Sequence, residues 1–425
     1  MNIFDQLLAD NQIPKFVRVR HEMDHSHIDD IEGAVAQAMR REGTLDRIKP
    51  GDSVCITAGS RDVANIARII RAICDQVKSV GAYPFIIPAM GSHAGAKAEG
   101  QRGIIEGYGV TEEAMGAPIR ASMDTEVIAH SRSGLEIHLD KFANAADFLI
   151  PVGRIKAHTD FRGEVESGIC KMLVIGMGKQ HGAYQCHKLG FKSMAANVKE
   201  FAGAIIEKKP NMFAIGLIEN AYHQTCRIEA IPAGRILAEE PPLLEYAKSR
   251  MAKVPFDQAD ILFVDETGKD ISGAGMDPNV TGRSPVLGIS RPFFQRIAVF
   301  DLTDKSHGNF GGLGSADVTT QRLYRKIDFE QTYPNGITAA EPLAVRLPAV
   351  MPSDRTAMQF ALRTATDCDW EKGPRIVWLK NTLSLSEFYI SEALIPDAEA
   401  LDNVTIVSEP MEVIFDEEGN VKELR

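Results

Sequence analysis

Between Arg154 and His187 the chain gathers side chains that can hold protons, metals and carbonyl groups. Three of its eleven histidines (His158, His181 and His187) fall in this stretch, together with Cys170, Cys186 and lysines at 156, 171 and 179. Imidazole titrates near neutrality, so two histidines delivered from separate loops form an acid/base pair around a small substrate. A third can ligate a soft or borderline metal. Lys171 opens the apolar run Met-Leu-Val-Ile, where a solvated lysine is out of place. Such a lysine either snorkels to the surface or is engaged chemically with a carbonyl group. A further histidine, His93, stands in Gly-Ser-His-Ala-Gly directly after the apolar run 83–90. Taken alone, a histidine there is structural more often than catalytic.

The elements that must position these groups are legible as apolar runs. Phe-Leu-Ile-Pro-Val at 148–152 predicts a buried strand immediately ahead of the histidine-rich stretch, and polar groups at the end of a buried strand are the usual construction of an α/β site. Ser-Val-Cys-Ile-Thr at 53–57 predicts another strand. A short loop with Gly59, Ser60 and Arg61 follows it, then a helix whose apolar face is Val63, Ile66, Ile69, Ile70, Ile73 and Val77. Free N–H groups at a helix start beside an arginine make an anion site; an ordinary strand-to-helix turn is the equal alternative. Further runs predict a helix over 193–208, a strand at 212–218, a turn-rich span at 232–242 and a short helix at 243–251.

Beyond residues 252–256 fresh strands at 260–265, 297–302 and 376–379 begin a second α/β unit. Glycine-dense loops at 268–283 and 301–317 lie beside them. The expected fold is therefore α/β in two domains, 1–252 and 253–425, each with a sheet core, and the active site in the cleft between them. A chain of 425 residues exceeds one ordinary core.

The totals exclude several classes. A net charge of −11 disfavours nucleic acid as a main partner, because phosphate backbones call for basic surface. The six cysteines show no Cys-x-x-Cys spacing, which removes the common zinc-ribbon and redox motifs and predicts reduced thiols in the cytoplasm. No signal-peptide pattern opens the chain and no apolar run approaches the ~20 residues of a membrane span. Gly178-Lys179 is followed by Gln, so it is not a phosphate-binding P-loop.

Lys171 and His187 are sixteen residues apart, His158 precedes them, His93 lies in a Gly-x-His loop before an acid-containing helix, and Thr57 to Arg61 closes the first strand. This ordered set resembles the nickel-dependent lactate racemase family. The resemblance implies a nickel-pincer nucleotide attached covalently through Lys171, nickel bound by His187, and His93 and His158 as the acid/base pair. It places the nucleotide phosphate at Gly59, Ser60 and Arg61. It implies racemisation or epimerisation of a 2-hydroxy acid by reversible hydride transfer. The expected partners are a small anionic hydroxy acid and the cofactor-synthesis enzymes, with no nucleic acid, no membrane, and self-association left open.

Departures from the family pattern are informative. Ala58 stands where the family carries an acid, the segment between His158 and Lys171 is long, and Asp277-Pro-Asn lacks the Tyr-Gln pair and lysine expected after it. The substrate is thus expected to differ from lactate or to be larger, with Lys269, Arg283 or Arg154 as the cation for its carboxylate. Two other readings are a metal-dependent lyase or hydrolase, built from His158, His181 and His187 with Asp160, Glu164 or Glu166, and a non-catalytic cofactor-binding protein.

Overall fold

The computed structural model describes residues 3–60, 63–284, 289, 291–339 and 341–425. It divides into two compact units, Asp24–Met251 and a second made of Met1–Met23 with Ala252–Arg425.

In the unit Asp24–Met251 the strands Tyr83–Pro88, Ser53–Ala58 and Phe148–Ile150 pair in parallel in that order. The predicted strand at 148–152 is divided by Pro151, which has no N–H to donate to a ladder. Its first half pairs with Ser53–Ala58, and the half beyond the proline, Val152–Arg154, pairs in parallel with Phe213–Glu219. Thr225–Pro232 closes that edge antiparallel. Ser53–Ala58 and Phe213–Glu219 are buried nearly throughout, as strands covered on both faces must be, which is why they read as apolar runs without alternation. Helices Ile31–Arg40 and Ile66–Ser79 supply one covering core. Phe191–Lys208, Ile236–Arg250 and the hairpin Thr125–His130 and Glu136–Asp140 supply the other. The helix expected at 243–251 starts seven residues earlier and runs through Pro241 and Pro242.

The second unit is built on an eight-stranded sheet. Its strands Ala349–Met351, Val318–Thr320, Phe293–Leu302, Gln258–Thr267 and Ile376–Leu379 are parallel. Glu387–Ser391, Phe16–His21 and Val404–Ile406 extend it antiparallel. Residues 1–23, placed with the first domain on sequence, belong here instead. Phe16–His21 is an inner strand of this sheet, and Phe16 packs edge-on against Trp378. A partner nearly 370 residues away leaves no local trace of that pairing.

No helix among the described residues is long and apolar enough to cross a membrane.

Candidate active site

The histidine-rich stretch leaves the sheet at the carboxyl end of Val152–Arg154. It makes an excursion whose two limbs meet where Lys156 N–H donates to Ser167 O at 3.0 Å. The fully buried Glu166 anchors this loop. Its Oε2 accepts the His158 backbone N–H at 2.7 Å and lies 3.4 Å from Arg162 Nη1, while Oε1 lies 3.0 Å from Lys248 Nζ. A buried carboxylate is tolerated only with such partners, so the loop conformation is strongly determined. Arg162 also donates to His158 O.

That frame fixes the His158 ring. Phe161 stacks on it at 4.1 Å, Nδ1 accepts the Asp160 N–H at 2.9 Å, and Nε2 lies 2.5 Å from Lys171 Nζ. Burial first, then the neighbouring cations Lys171, Lys156 and Arg162 with His187, hold the imidazole well below its ordinary pKa. The ring is therefore neutral at physiological pH. With Nδ1 accepting, its single proton is on Nε2.

Lys171 ends the short turn Ile169–Lys171, which leads into the π-helical turn Met172–Gly176. Glu240, fully buried, receives the Cys170 N–H at 2.8 Å and so fixes the start of this segment. The chain then reverses at Gly178 and Lys179 into the helix Lys179–His187. The two helical pieces bring Lys171 and His187 together across sixteen residues. Burial first, and the Lys171 charge second, push the His187 imidazole down to about 4. It stays neutral, with a lone pair available to a metal.

The reversal is clamped from behind. Lys179 has a left-handed backbone (φ 54°) and a fully buried ammonium, which lies 3.1 Å from Asp140 Oδ2 and donates to Pro88 O. Gly176 admits no side chain, since a Cβ there would lie 2.9 Å from Ala89 O. The end of the strand Tyr83–Pro88, which carries the His93 loop, is thus packed against the segment bearing Lys171.

The other candidates divide. His93 is exposed on that loop, its Nδ1–H donating to Met90 O at 2.6 Å, and buried Gln101 holds the loop by donating to Gly91 O at 2.8 Å. Gly59 lies beside Met172, where a Cβ would be 3.4 Å from its methyl carbon, and Ser60 O accepts the Tyr108 hydroxyl at 2.9 Å. Arg61 lies outside the described residues. The expected anion site at a helix start needs correction, because the helix begins at Ile66 after a left-handed Asn65. The Ala64 N–H ahead of it already donates to Glu219 Oε1 at 2.8 Å. Thr57 is a strand residue, fully buried, its hydroxyl accepting the Val152 N–H at 2.8 Å.

The three expected carboxylate-binding cations stand in different places. Arg154 is paired with Glu219 at 2.6 Å. Arg283 donates to Asp317, Ser315 O, Phe294 O and Gln295 O, which places it at the amino end of the strand Phe293–Leu302. Lys269 follows the carboxyl end of the neighbouring parallel strand Gln258–Thr267, its N–H on Ser306 and its ammonium on Gly273 O. Lys269 and Arg283 therefore lie at opposite ends of one sheet and cannot share a substrate. Ligands of open α/β sheets bind at the carboxyl ends, which favours Lys269.

His181 turns away from the centre. It is exposed and stacks on His138 at 5.7 Å. Glu164 is paired with Lys199 and Glu166 is committed as above. Among the described residues no group of three or more His, Cys, Asp or Glu could hold a metal ion, so the lyase or hydrolase site built from several protein ligands is not assembled. Sequence reasoning missed Glu240, Lys179 with Asp140, and Glu219. Each is an isolated charged residue whose partner is remote in sequence, so no spacing announces it.

The arrangement defines a two-unit α/β protein with a lysine and two neutral histidines at the carboxyl edge of one sheet. No family model matches the chain, and no curated protein sequence does. Among solved structures, the lactate racemase apoprotein from Thermoanaerobacterium thermosaccharolyticum superposes with a TM-score of 0.52 at 16% identity, covering 86% of this chain and 93% of that one. A Streptomyces glycosyltransferase, SsfS6, reaches a TM-score of only 0.15 and carries no argument. The expected likeness to lactate racemase is thus borne out as a fold, the two-domain α/β architecture, in a divergent sequence.

Proposed function

We propose that this protein is an isomerase, a racemase or epimerase of a 2-hydroxy acid other than or larger than lactate, using a nickel-pincer nucleotide. The observation that carries this reading is the meeting of Lys171, His158 and His187 within a chain of lactate racemase fold.

The donor set fits such a group. A lysine amine is a group that makes a covalent bond to an acyl carbon. A neutral, buried imidazole at His187 suits a nickel ion whose remaining ligands come from the cofactor. Gly59 and Ser60 lie on the neighbouring loop and would meet its phosphate through loop N–H groups rather than a helix start; Arg61, next in the sequence, is the cation proposed with them. When bound, the cofactor would supply a reversible hydride acceptor. The chain's own work is to move the hydroxyl proton. His158, neutral and held by Asp160 N–H and Phe161, exchanges it on one side; His93, with its Nδ1 proton donated to Met90 O, presents Nε2 for the other. Opposed bases suit a reaction that runs in both directions. Lys269 is the cation proposed for the substrate carboxylate. The proposed partners are a small anionic hydroxy acid and the enzymes that make the cofactor.

Intact-mass measurement of protein produced with nickel and the cofactor-synthesis enzymes tests the reading. A covalent adduct is expected, lost in Lys171→Ala together with stereoinversion of 2-hydroxy acids, a loss of at least about 1,000-fold. His187→Ala should lose nickel where His181→Ala keeps it. Protein that carries neither adduct nor nickel under these conditions would sink the proposal. Adduct without exchange at any hydroxy acid would favour the non-catalytic cofactor-binding reading.

A further inference from the structure

We infer that the helix Ile236–Arg250 is a positioning element of the site: its Glu240 holds the turn that carries Lys171, and its Lys248, through Glu166, holds the loop that carries His158. Glu240 meets the backbone beside Lys171 and Lys248 meets Glu166, so both act through other groups and are positioning residues. The inference rests on the reading of Lys171 and His158 as reacting groups, and its first test, on cofactor-free protein, separates the two.

Glu240 and Lys248 lie on one face of the helix, about 12 Å apart along its axis. At the first position the Glu240 carboxyl accepts the Cys170 N–H at 2.8 Å, one residue before Lys171. Gly168 leaves room for it, since a Cβ there would run into Glu240 Oε1. At the second, Lys248 Nζ lies 3.0 Å from Glu166 Oε1, and the other oxygen of Glu166 accepts the His158 N–H at 2.7 Å. The main chain on each side of the 2.5 Å contact between Lys171 and His158 is thus tied to one helix.

Stability alone does not call for a carboxyl at position 240. The residue is fully buried, and among the described residues no cation pairs with it; its polar neighbours are the Ile169 and Cys170 N–H groups and the Cys170 thiol. A buried carboxyl without a counter-charge costs stability, and a leucine would fill the space without that cost. What the carboxyl adds is a fixed acceptor for an N–H that the short turn Ile169–Lys171 leaves without a helical partner. Pro241 and Pro242 follow directly and fix φ at both positions, so this acceptor stands on stiff backbone. Lys248 is steadied in turn by Glu245, 2.9 Å away on the same helix.

The test compares Glu240→Leu, which fills the space without an acceptor, with Glu240→Gln, whose amide oxygen keeps one. In cofactor-free protein Glu240→Leu should keep the stability of the unaltered chain yet exchange the Cys170 amide hydrogen at least about ten-fold faster, the effect of losing one hydrogen bond. Its His158 ring signals, read by NMR with histidine-selective labelling, should shift although residue 240 meets the other limb, while those of His21 stay in place. Glu240→Gln should restore both readouts. In cofactor-loaded enzyme Glu240→Leu should lower kcat about ten- to a hundred-fold with KM unchanged, as misplaced reacting groups do, and Glu240→Gln should recover it. Unmoved His158 signals in Glu240→Leu would overturn the inference. A large loss of stability shared by the glutamine variant would mark the carboxyl as structural and overturn it too. If the leucine variant does not fold, the unaltered protein decides: its Cys170 and His158 amides should exchange as slowly as the middle of the helix, and exchange of either about a hundred-fold faster refutes the inference. Shifted His158 signals in a protein that gains no cofactor adduct refute the racemase alone; adduct with unmoved signals refutes this inference alone.

Discussion

The carboxyl edges of the two parallel sheets are built from opposite materials. In the unit Asp24–Met251 the edge presents neutral bases, His158 and His187, around one lysine, with the charged groups set behind them: Glu166 on Arg162 and Lys248, and Lys179 on Asp140. In the second unit the edge is a cross-linked charge network. Arg322 binds Asp354 through two contacts of 3.1 Å and lies 3.5 Å from Asp301, which also binds Lys326. Asp265 donates nothing to that network, accepting instead the Trp378 N–H at 2.5 Å. Groups locked in ion pairs are poor proton carriers, because moving a proton leaves a partner unpaired. The comparison teaches that the edge whose bases are neutral is the one equipped to move a proton.

The sharpest way to break this contrast is to remove the clamp behind the first edge. Lys179→Met leaves Asp140 buried without its ion pair, and a loss of roughly 3–5 kcal/mol is expected from such a change. The double variant with Asp140→Asn should recover much of it. Denaturant unfolding of the single and double variants measures both. A loss under about 1 kcal/mol would show the clamp to be incidental.

The two edges should also respond oppositely to pH. His187 has its pKa lowered from 6.5 to about 4, so between those values the unfolded chain binds more protons than the folded one. Stability of that unit therefore rises with pH across this window, and is lost as pH falls from 6.5 towards 4. Asp265 is the reverse: burial raises it from 3.8 to about 7, with the Trp378 N–H offsetting part. There the folded chain binds more protons, so its contribution is present below about 4 and lost as pH rises towards 7. Each effect is on the order of 3 kcal/mol. Hydrogen exchange followed separately in the two units from pH 4 to 7 should give slopes of opposite sign. His187→Gln should flatten the first and Asp265→Asn the second; parallel slopes would erase the distinction.

The smallest expected effect separates the two ends of the second sheet. Lys269→Ala should raise KM for the active hydroxy acid about ten-fold with little change in stability. Arg283→Ala should leave KM unchanged and destabilise by about 1.5–3 kcal/mol, the range for hydrogen bonds to a charged group. An inverted outcome would move the substrate to the amino end of that sheet.

Much of the first edge was legible before folding. The strands at 53–58 and 83–88 appear as unbroken apolar runs because both faces are covered, and the sixteen-residue interval from Lys171 to His187 is a property of the chain itself. Glu240 and Lys179 were not legible, since each is defined by a partner 70 or 39 residues away, Cys170 and Asp140. The three cations Arg154, Lys269 and Arg283 looked equivalent as sequence; only folding showed one paired with Glu219, one bound to strand carbonyls and one at a carboxyl edge.

The sequence by itself determined residue types, intervals and the alternation of apolar runs, because these depend on neighbours along the chain. Tertiary structure alone decided which unit the strand Phe16–His21 joins, and which nitrogen of His158 carries its proton. It also decided that His187 faces Lys171 while His181 stacks on His138. Those outcomes depend on burial and on the charges brought alongside, and both come from residues far away in sequence.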